Sequence, residues 1–418
     1  MNRVAGLSGS GNAPSSTHLP ALDGLRGVAV LLVVICHISE QFYPPNVAAR
    51  CLQAVAFVGW TGVDLFFVLS GFLITGILFD AKGGSGYFRN FYARRTVRIF
   101  PLYYVTLAIL YLLLPALLSG RANGDRLFQA LMQSQPHWAW YGAYLVDVLI
   151  AWKGFLFAGH FWSLAVEEHF YLVWPFLVYS FSRRRLVSLS LGLFVAPLIL
   201  RAVMVLCHAA PTAIYVLTPC RMDGLALGAV LALTLRSPQG LQTMLRFARF
   251  ALPAAGAMWF TLFVLQGGWG QYGPIQQTLG YLVTEVFYGA VLVMTLASTG
   301  LAAVMSVGPL RLLGKISYAV YVFHGFLVAL CARYFALGAV SRHSIVFSLI
   351  DRLAGAPVVP GSFLLLLDAI AYLALALGLS VGMALLSWYA LELPCLRLKR
   401  FFPYGKPAAA EPPAEIAA

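Results

Sequence analysis

Leu22-Asp23-Gly24-Leu25-Arg26-Gly27-Val28-Ala29-Val30-Leu31-Leu32-Val33-Val34-Ile35-Cys36-His37 opens the apolar part of the chain and decides how the rest is read. Arg26 and His37 lie eleven residues apart, and eleven helical steps of about 100° return to within about 20° of the same face. The rise between them is roughly 16 Å, about half the hydrocarbon core of a bilayer. The pattern predicts a membrane helix with a guanidinium near one surface and an imidazole on the same stripe near the midplane. Ionisable groups at that depth are expensive and mark substrate or proton paths.

The whole chain supports a membrane setting. Of 418 residues, 61% are hydrophobic and only 10% are charged, and the mean hydropathy is +0.82. That balance excludes a soluble domain and predicts an all-α, polytopic helical bundle. The net charge of +13 is therefore loop charge facing phospholipid, and no nucleic-acid partner is expected. Residues 1–18, rich in Gly, Ser and Asn, read as a disordered tail without the basic-then-apolar order of a cleavable signal. The six cysteines show no CxxC pair and no Cys/His ligand spacing, so they read as apolar filler and no metal site is expected.

Apolar segments long enough to span occur near 20–42, 54–80, 99–119, 161–182, 186–207, 218–235, 250–267, 278–298, 314–335 and 362–391. Ten spans with a cytoplasmic N-terminus put Lys82, Arg89, Arg94, Arg95, Arg98, Arg183–Arg185, Arg236, Arg246, Arg249, Arg311, Lys315, Arg397, Lys399 and Arg400 on the inner side. The C-terminus is then cytoplasmic too. Counting 137–158 as an eleventh span would reverse most of these loops, so that stretch reads as an interfacial or re-entrant part of an outer loop, 120–160. The expected organisation is a tail over 1–18, a membrane domain over 19–398 and a cytoplasmic tail over 399–418. No internal repeat is visible, which counts against a transporter built from repeated halves.

Three constellations can carry chemistry. His37, kept neutral by burial, is suited to accept a proton from a hydroxyl; the alternative is a buried histidine bonded to a neighbouring helix. In His160-Phe161-Trp162-Ser163-Leu164-Ala165-Val166-Glu167-Glu168-His169-Phe170-Tyr171, Ser163 and Glu167 share a helix face that Tyr171 continues. A carboxylate at that depth needs a cation, water or a proton; the structural alternative is an ion pair with Arg221. Arg94, Arg95 and Arg98, with Arg89 nearby, form a cluster able to hold cofactor phosphates or, equally, lipid headgroups. Asp64 in a Gly-bracketed helix, the Arg221/Asp223 pair and His324 read as groups supporting the site or as helix-packing contacts. Trp138, Trp140, Tyr141, Tyr144 and Trp152 in the outer loop suit either a sugar ring or an interfacial belt.

Taken in order, the chain resembles the membrane acyltransferase-3 family of O-acyltransferases. The resemblance rests on Arg26 and His37 in an Arg-x10-His pattern, Gly62-Val63-Asp64 to Ser70-Gly71-Phe72, and Arg94-Arg95 to Arg98-Ile99 with Pro101 and Tyr103. Trp162-Ser163-Leu164 with Glu167, Arg221-Met222-Asp223-Gly224, Ile316-Ser317-Tyr318 to His324, and Glu392-x-Pro394 complete it. It implies a bacterial inner-membrane enzyme that moves an acetyl or other short acyl group from cytoplasmic acetyl-CoA to a hydroxyl of a cell-surface or secreted glycan, such as lipopolysaccharide or exopolysaccharide. It makes His37 the catalytic histidine with Arg26 supporting it, Glu167 the matching glutamate, and Arg95 and Arg98 the cofactor-contacting pair. The implied partners are acyl-CoA, a glycan or glycolipid acceptor and membrane lipid, with a homo-oligomer left open. Many relatives carry a further hydrolase-like domain after the last helix, where this chain has about 20 residues. Acylation of an intracellular small molecule such as a macrolide, and transport of lipid-linked sugars, are the alternative functions.

Overall fold

The computed structural model describes residues 19–42, 47–118, 125–268, 270–335, 346 and 362–404. The expected tails over 1–18 and from 405 onward lie outside the described residues. Among the described residues, ten long helices order the chain: α1 Pro20–Ser39, α2 Gly62–Asp80, α3 Tyr87–Ala108, α4 Trp162–Ser180, α5 Arg183–Leu206, α6 Thr218–Leu235, α7 Gly240–Leu265, α8 Tyr281–Ala297, α9 Ser317–Cys331 and α10 Ser362–Ser387. Helices are the expected solution because each satisfies its own backbone hydrogen bonds without water.

Among the described residues, eight helical segments are long and apolar enough to cross a membrane. A ninth joins them if α9 is counted with the short helix Gly308–Lys315, to which it is bent by 78°. The expected span at 314–335 is thus broken at Ile316. The remaining expected span, 161–182, forms as α4 but is not among the eight, because Glu167, Glu168 and His169 interrupt its apolar run. Residues 137–158 form only Trp138–Gly142 and Val146–Lys153, five and eight residues long and too short to cross.

Side-chain bridges mark two faces. On one, Lys82 donates to the Phe181 carbonyl (2.7 Å), Arg236 to Asp80 (2.6 Å) and Arg94 to the Lys399 and Phe402 carbonyls (3.2 and 3.1 Å). The first residues of the expected C-terminal tail are therefore docked on α3, and Tyr404 lies under the Arg94 guanidinium. On the other face, Asp125 pairs with Arg333, and Asp147 accepts from the Thr218 hydroxyl (2.8 Å). Both contacts pin the 125–160 segment to the bundle. The Arg333 hydrogen bonds hold the Asp125 carboxyl down at about 2, so this clasp stays ionised until pH falls through that value.

The core is where backbones meet. The α2 segment is 78% buried and the α6 segment 67%, against 17% for α5 and α7, which face lipid. Gly71 on α2 and Gly228 on α6 allow this: a Cβ on Gly71 would overlap the Leu225 carbonyl, and one on Gly228 the Val68 carbonyl. The same device fixes α1. A Cβ on Gly24 would collide with the Met305 carbonyl and one on Gly27 with the Leu310 carbonyl, so the Asp-Gly-Leu-Arg-Gly start lies directly on the end of the Thr299–Met305 helix and on the 308–315 helix. Gly228→Val is expected to destabilise the bundle by about 1–3 kcal/mol through overpacking. A lowered melting temperature of the detergent-solubilised protein checks this.

Candidate functional site

A cavity of about 570 Å³ opens on the basic face between α1, α3, the 308–315 helix and the end of α10. Asp23, Arg26, Arg98, Arg311, Lys315 and Trp388 line it. Arg26 and Arg98 also line a second, smaller cavity of about 90 Å³ deeper in the bundle, with Arg95, Ser70, Ser163, Glu167, Glu168, Tyr171 and Tyr321. The two arginines line both cavities, so the basic opening and the buried polar pocket adjoin across them. Arg95 and Arg98 reach it together because three residues on a helix share a face. The buried Nε of Arg95 has no partner among the described residues, and its guanidinium lies over the Tyr171 ring (5.6 Å).

The expected cation cluster divides. Arg95 and Arg98 face the cavities, whereas Arg94 is bound to the C-terminal segment. Arg311 and Lys315, expected only as inner-side loop charges, complete the basic end, with Lys315 over the Trp388 ring (5.0 Å) and Glu392 near Arg98. Glu392 reaches this place on a π-helical turn, Trp388–Glu392. The residue had been visible only as part of a closing motif.

Glu167 lies among Ser70, Tyr171, Arg26 and Arg95. Tyr171 and Ser70 hydroxyls are 2.5 Å apart. Glu167 does not pair with Arg221 and makes no contact with His37. Ser163, from the same helix, donates to the Tyr321 hydroxyl (2.5 Å), which donates in turn to the His160 carbonyl (2.7 Å). Tyr321 therefore ends the deeper cavity and begins a different cluster.

That cluster holds three imidazoles. His37, in the last turn of α1, packs edge-to-face on His324 of α9, centroids 4.9 Å apart. His324 packs on His160 at 5.1 Å. His37 Nδ1 donates to the Val33 carbonyl (2.9 Å), so its proton is on Nδ1 and Nε2 keeps a lone pair. His37 is half-buried while His324 is wholly buried. Arg26 and His37 thus share a helix stripe without sharing a cavity, and the polar route between them runs through Glu167, Ser163 and Tyr321.

Asp64, Arg221 and Asp223 belong to neither cavity. Arg221 and Asp223 do not pair with each other as their spacing suggested: Arg221 bridges to Asp64 on α2, and Asp223 to Arg201 on α5 (2.5 Å), all four fully buried. The Arg221 guanidinium also lies over Tyr281 (4.3 Å). Glu285 on α8 is fully buried beside this network. Arg201 and Glu285 were missed, although a lone charge inside each of two apolar runs was their available signal. Of the outer-loop aromatics, Tyr144 stacks on Tyr103 (4.3 Å) and Tyr141 is buried, whereas Trp138 and Trp152 are exposed.

With this geometry in view, the sequence comparisons are specific. Residues 19–389 match the acyltransferase domain family, and the chain belongs to it. It is similar to the peptidoglycan O-acetyltransferase OatA of Listeria monocytogenes, 28% identical over 324 residues that cover 74% of this chain and 49% of the relative. The putative peptidoglycan O-acetyltransferase YrhL of Bacillus subtilis is 30% identical over 328 residues, 73% of this chain and 48% of YrhL. The O-acetyltransferase OatA of Staphylococcus aureus is 28% identical over 350 residues, 78% and 53% of the two chains. The chain spans about half the length of these relatives. No solved structure matches it.

Removing one member of a buried ion pair strands the other, at about 3–5 kcal/mol. Arg221→Met is therefore expected to lose most folded protein, and Asp64→Leu combined with Arg221→Met to recover it. Yield and melting temperature of the two variants measure this coupling.

Proposed function

We propose that this protein is a multi-pass O-acetyltransferase of the bacterial inner membrane, acting on a cell-envelope glycan of which peptidoglycan is the favoured class. Both chain ends and the basic loops face the cytoplasm in this reading, in keeping with the positive-inside rule. Acetyl-CoA binds at the basic cavity. Arg26, Arg98, Arg311 and Lys315 meet its phosphates, and Arg95, with its free buried Nε, reads the arm that enters the deeper cavity. The observation that carries the reading is the shared Arg26/Arg98 wall, which sets a basic opening of about 570 Å³ against a buried polar pocket.

His37 then acts as general base. The acceptor oxygen attacks the thioester carbonyl carbon while its proton passes to Nε2 of His37. As the carbon–sulfur bond breaks, that proton leaves with the sulfur as free thiol. The Val33 hydrogen bond fixes the tautomer this step needs. Glu167, between Arg26 and Tyr171, orients the reacting groups. Exposed Trp138 and Trp152 offer sugar-stacking faces on the side opposite the basic cavity.

The deciding experiment is mass spectrometry of envelope and secreted glycans from cells carrying the gene, lacking it, or carrying His37→Ala. Loss of acetyl-sized increments in both altered strains is expected, with activity reduced by at least about 100-fold in the variant. Full glycan acetylation in the His37→Ala strain overturns the base assignment. Arg98→Gln is expected to raise the KM for acetyl-CoA roughly 10–100-fold, the loss of one charge-assisted hydrogen bond. Arg94→Gln, at a side chain bound to the C-terminal segment and lining neither cavity, is expected to leave that KM unchanged.

A further inference from the structure

Between its two steps His37, a half-buried imidazole, holds a positive charge, and its ring needs a neighbour that steadies it. The neighbours are defined. His324 Nδ1 donates to the Tyr321 carbonyl (2.6 Å), so its proton is on Nδ1 and Nε2 is a bare lone pair. That Nε2 is buried without a hydrogen-bond partner among the described residues, and the whole residue is 0% exposed. An unpartnered buried polar atom is costly and asks for a reason. On its far side His160 donates Nε2–H to the Val322 carbonyl (3.2 Å) and packs against the His324 ring. The backbones of α9 and of the turn before α4 thus hold two neutral imidazoles in fixed tautomers, one directly on His37.

On the reading of His37 as base, we propose that His324 is a positioning residue that acts through His37. Its edge-to-face contact at 4.9 Å fixes the plane of the His37 ring, and a neutral His324, its one proton held on Nδ1, sets no second positive charge beside the cationic form that His37 adopts in transfer. His160 braces His324 from behind. Placement matters here because a reacting group displaced by about 1 Å loses roughly 100-fold in rate. The same helix face carries Tyr321, three residues earlier, at the end of the donor cavity. One element therefore sets both the limit of the donor path and the base beyond it.

The test compares His324→Leu, similar in bulk but without a polar atom, with His324→Gln, which keeps an acceptor near the Nε2 position. Purified protein in lipid nanodiscs is assayed for acetyl transfer and, separately, for binding of CoA. His324→Leu is expected to lower kcat about 100-fold with the KM for acetyl-CoA within about threefold, and His324→Gln to recover at least tenfold of that loss. CoA binding is expected at wild-type strength in both. The proposal is overturned if His324→Leu retains kcat within about threefold, if His324→Gln is as impaired as His324→Leu, or if either loses CoA binding, which assigns the residue to folding. His37→Ala assayed in parallel separates the two readings: an active His37→Ala overturns the base, whereas an inactive one beside an active His324→Leu overturns only the positioning role.

Discussion

The buried charges of α2, α5, α6 and α8 are the constraint on which the rest of the structure depends. In a low-dielectric interior a single guanidinium or carboxylate is intolerable unless an opposite charge meets it with good geometry. Asp64 with Arg221 and Asp223 with Arg201 are such pairs, and each joins two helices. Once both are made, α2, α6 and α5 have one relative placement. Backbone contact at Gly71 and Gly228 then closes α2 on α6. Apolar side chains alone would not choose this arrangement, because lipid tails are as good a partner as another helix.

That rigid centre carries the site's outer wall. Val63, next to Asp64, and Phe67, about one turn on, line the deeper cavity, and Phe67 also lies under the Arg221 guanidinium. The opposite wall comes from α1, α3 and α9, and below it Arg26 of α1 and Arg98 of α3 meet Lys315 of the 308–315 helix. A polar column follows, from the arginines to Glu167, Ser163 and Tyr321 and on to the three histidines. Each group in it is buried or half-buried within the bundle.

Much of this was legible along the chain, and the reason is chemical. A charge inside an apolar run is so costly that its presence signals a partner, so Arg26, His37, Asp64, Glu167, Arg221 and His324 all stood out. The partners themselves did not. Arg221 and Asp223 looked like a pair at i, i+2, but those positions point to different sides of a helix and each turned to another element. Arg94 looked equivalent to Arg95 and Arg98, yet its face of α3 meets the C-terminal segment. Glu392 depended on a π-helical turn that no simple periodicity reveals.

By itself, the sequence determined the membrane class, the helical content, the basic side and the residues too polar to lie in lipid, because composition and the 3.6-residue period act locally. Only the tertiary structure decided which of those residues meet. It placed Arg26 and Glu167 on one cavity and His37 with His324 and His160 beyond it. It also bent the chain at Ile316, so that Gly314 sits against Asp23 and α9 can run past His37. Those choices depend on the close approach of helices distant in sequence, and the energies that fix them arise only when the backbones are already in contact.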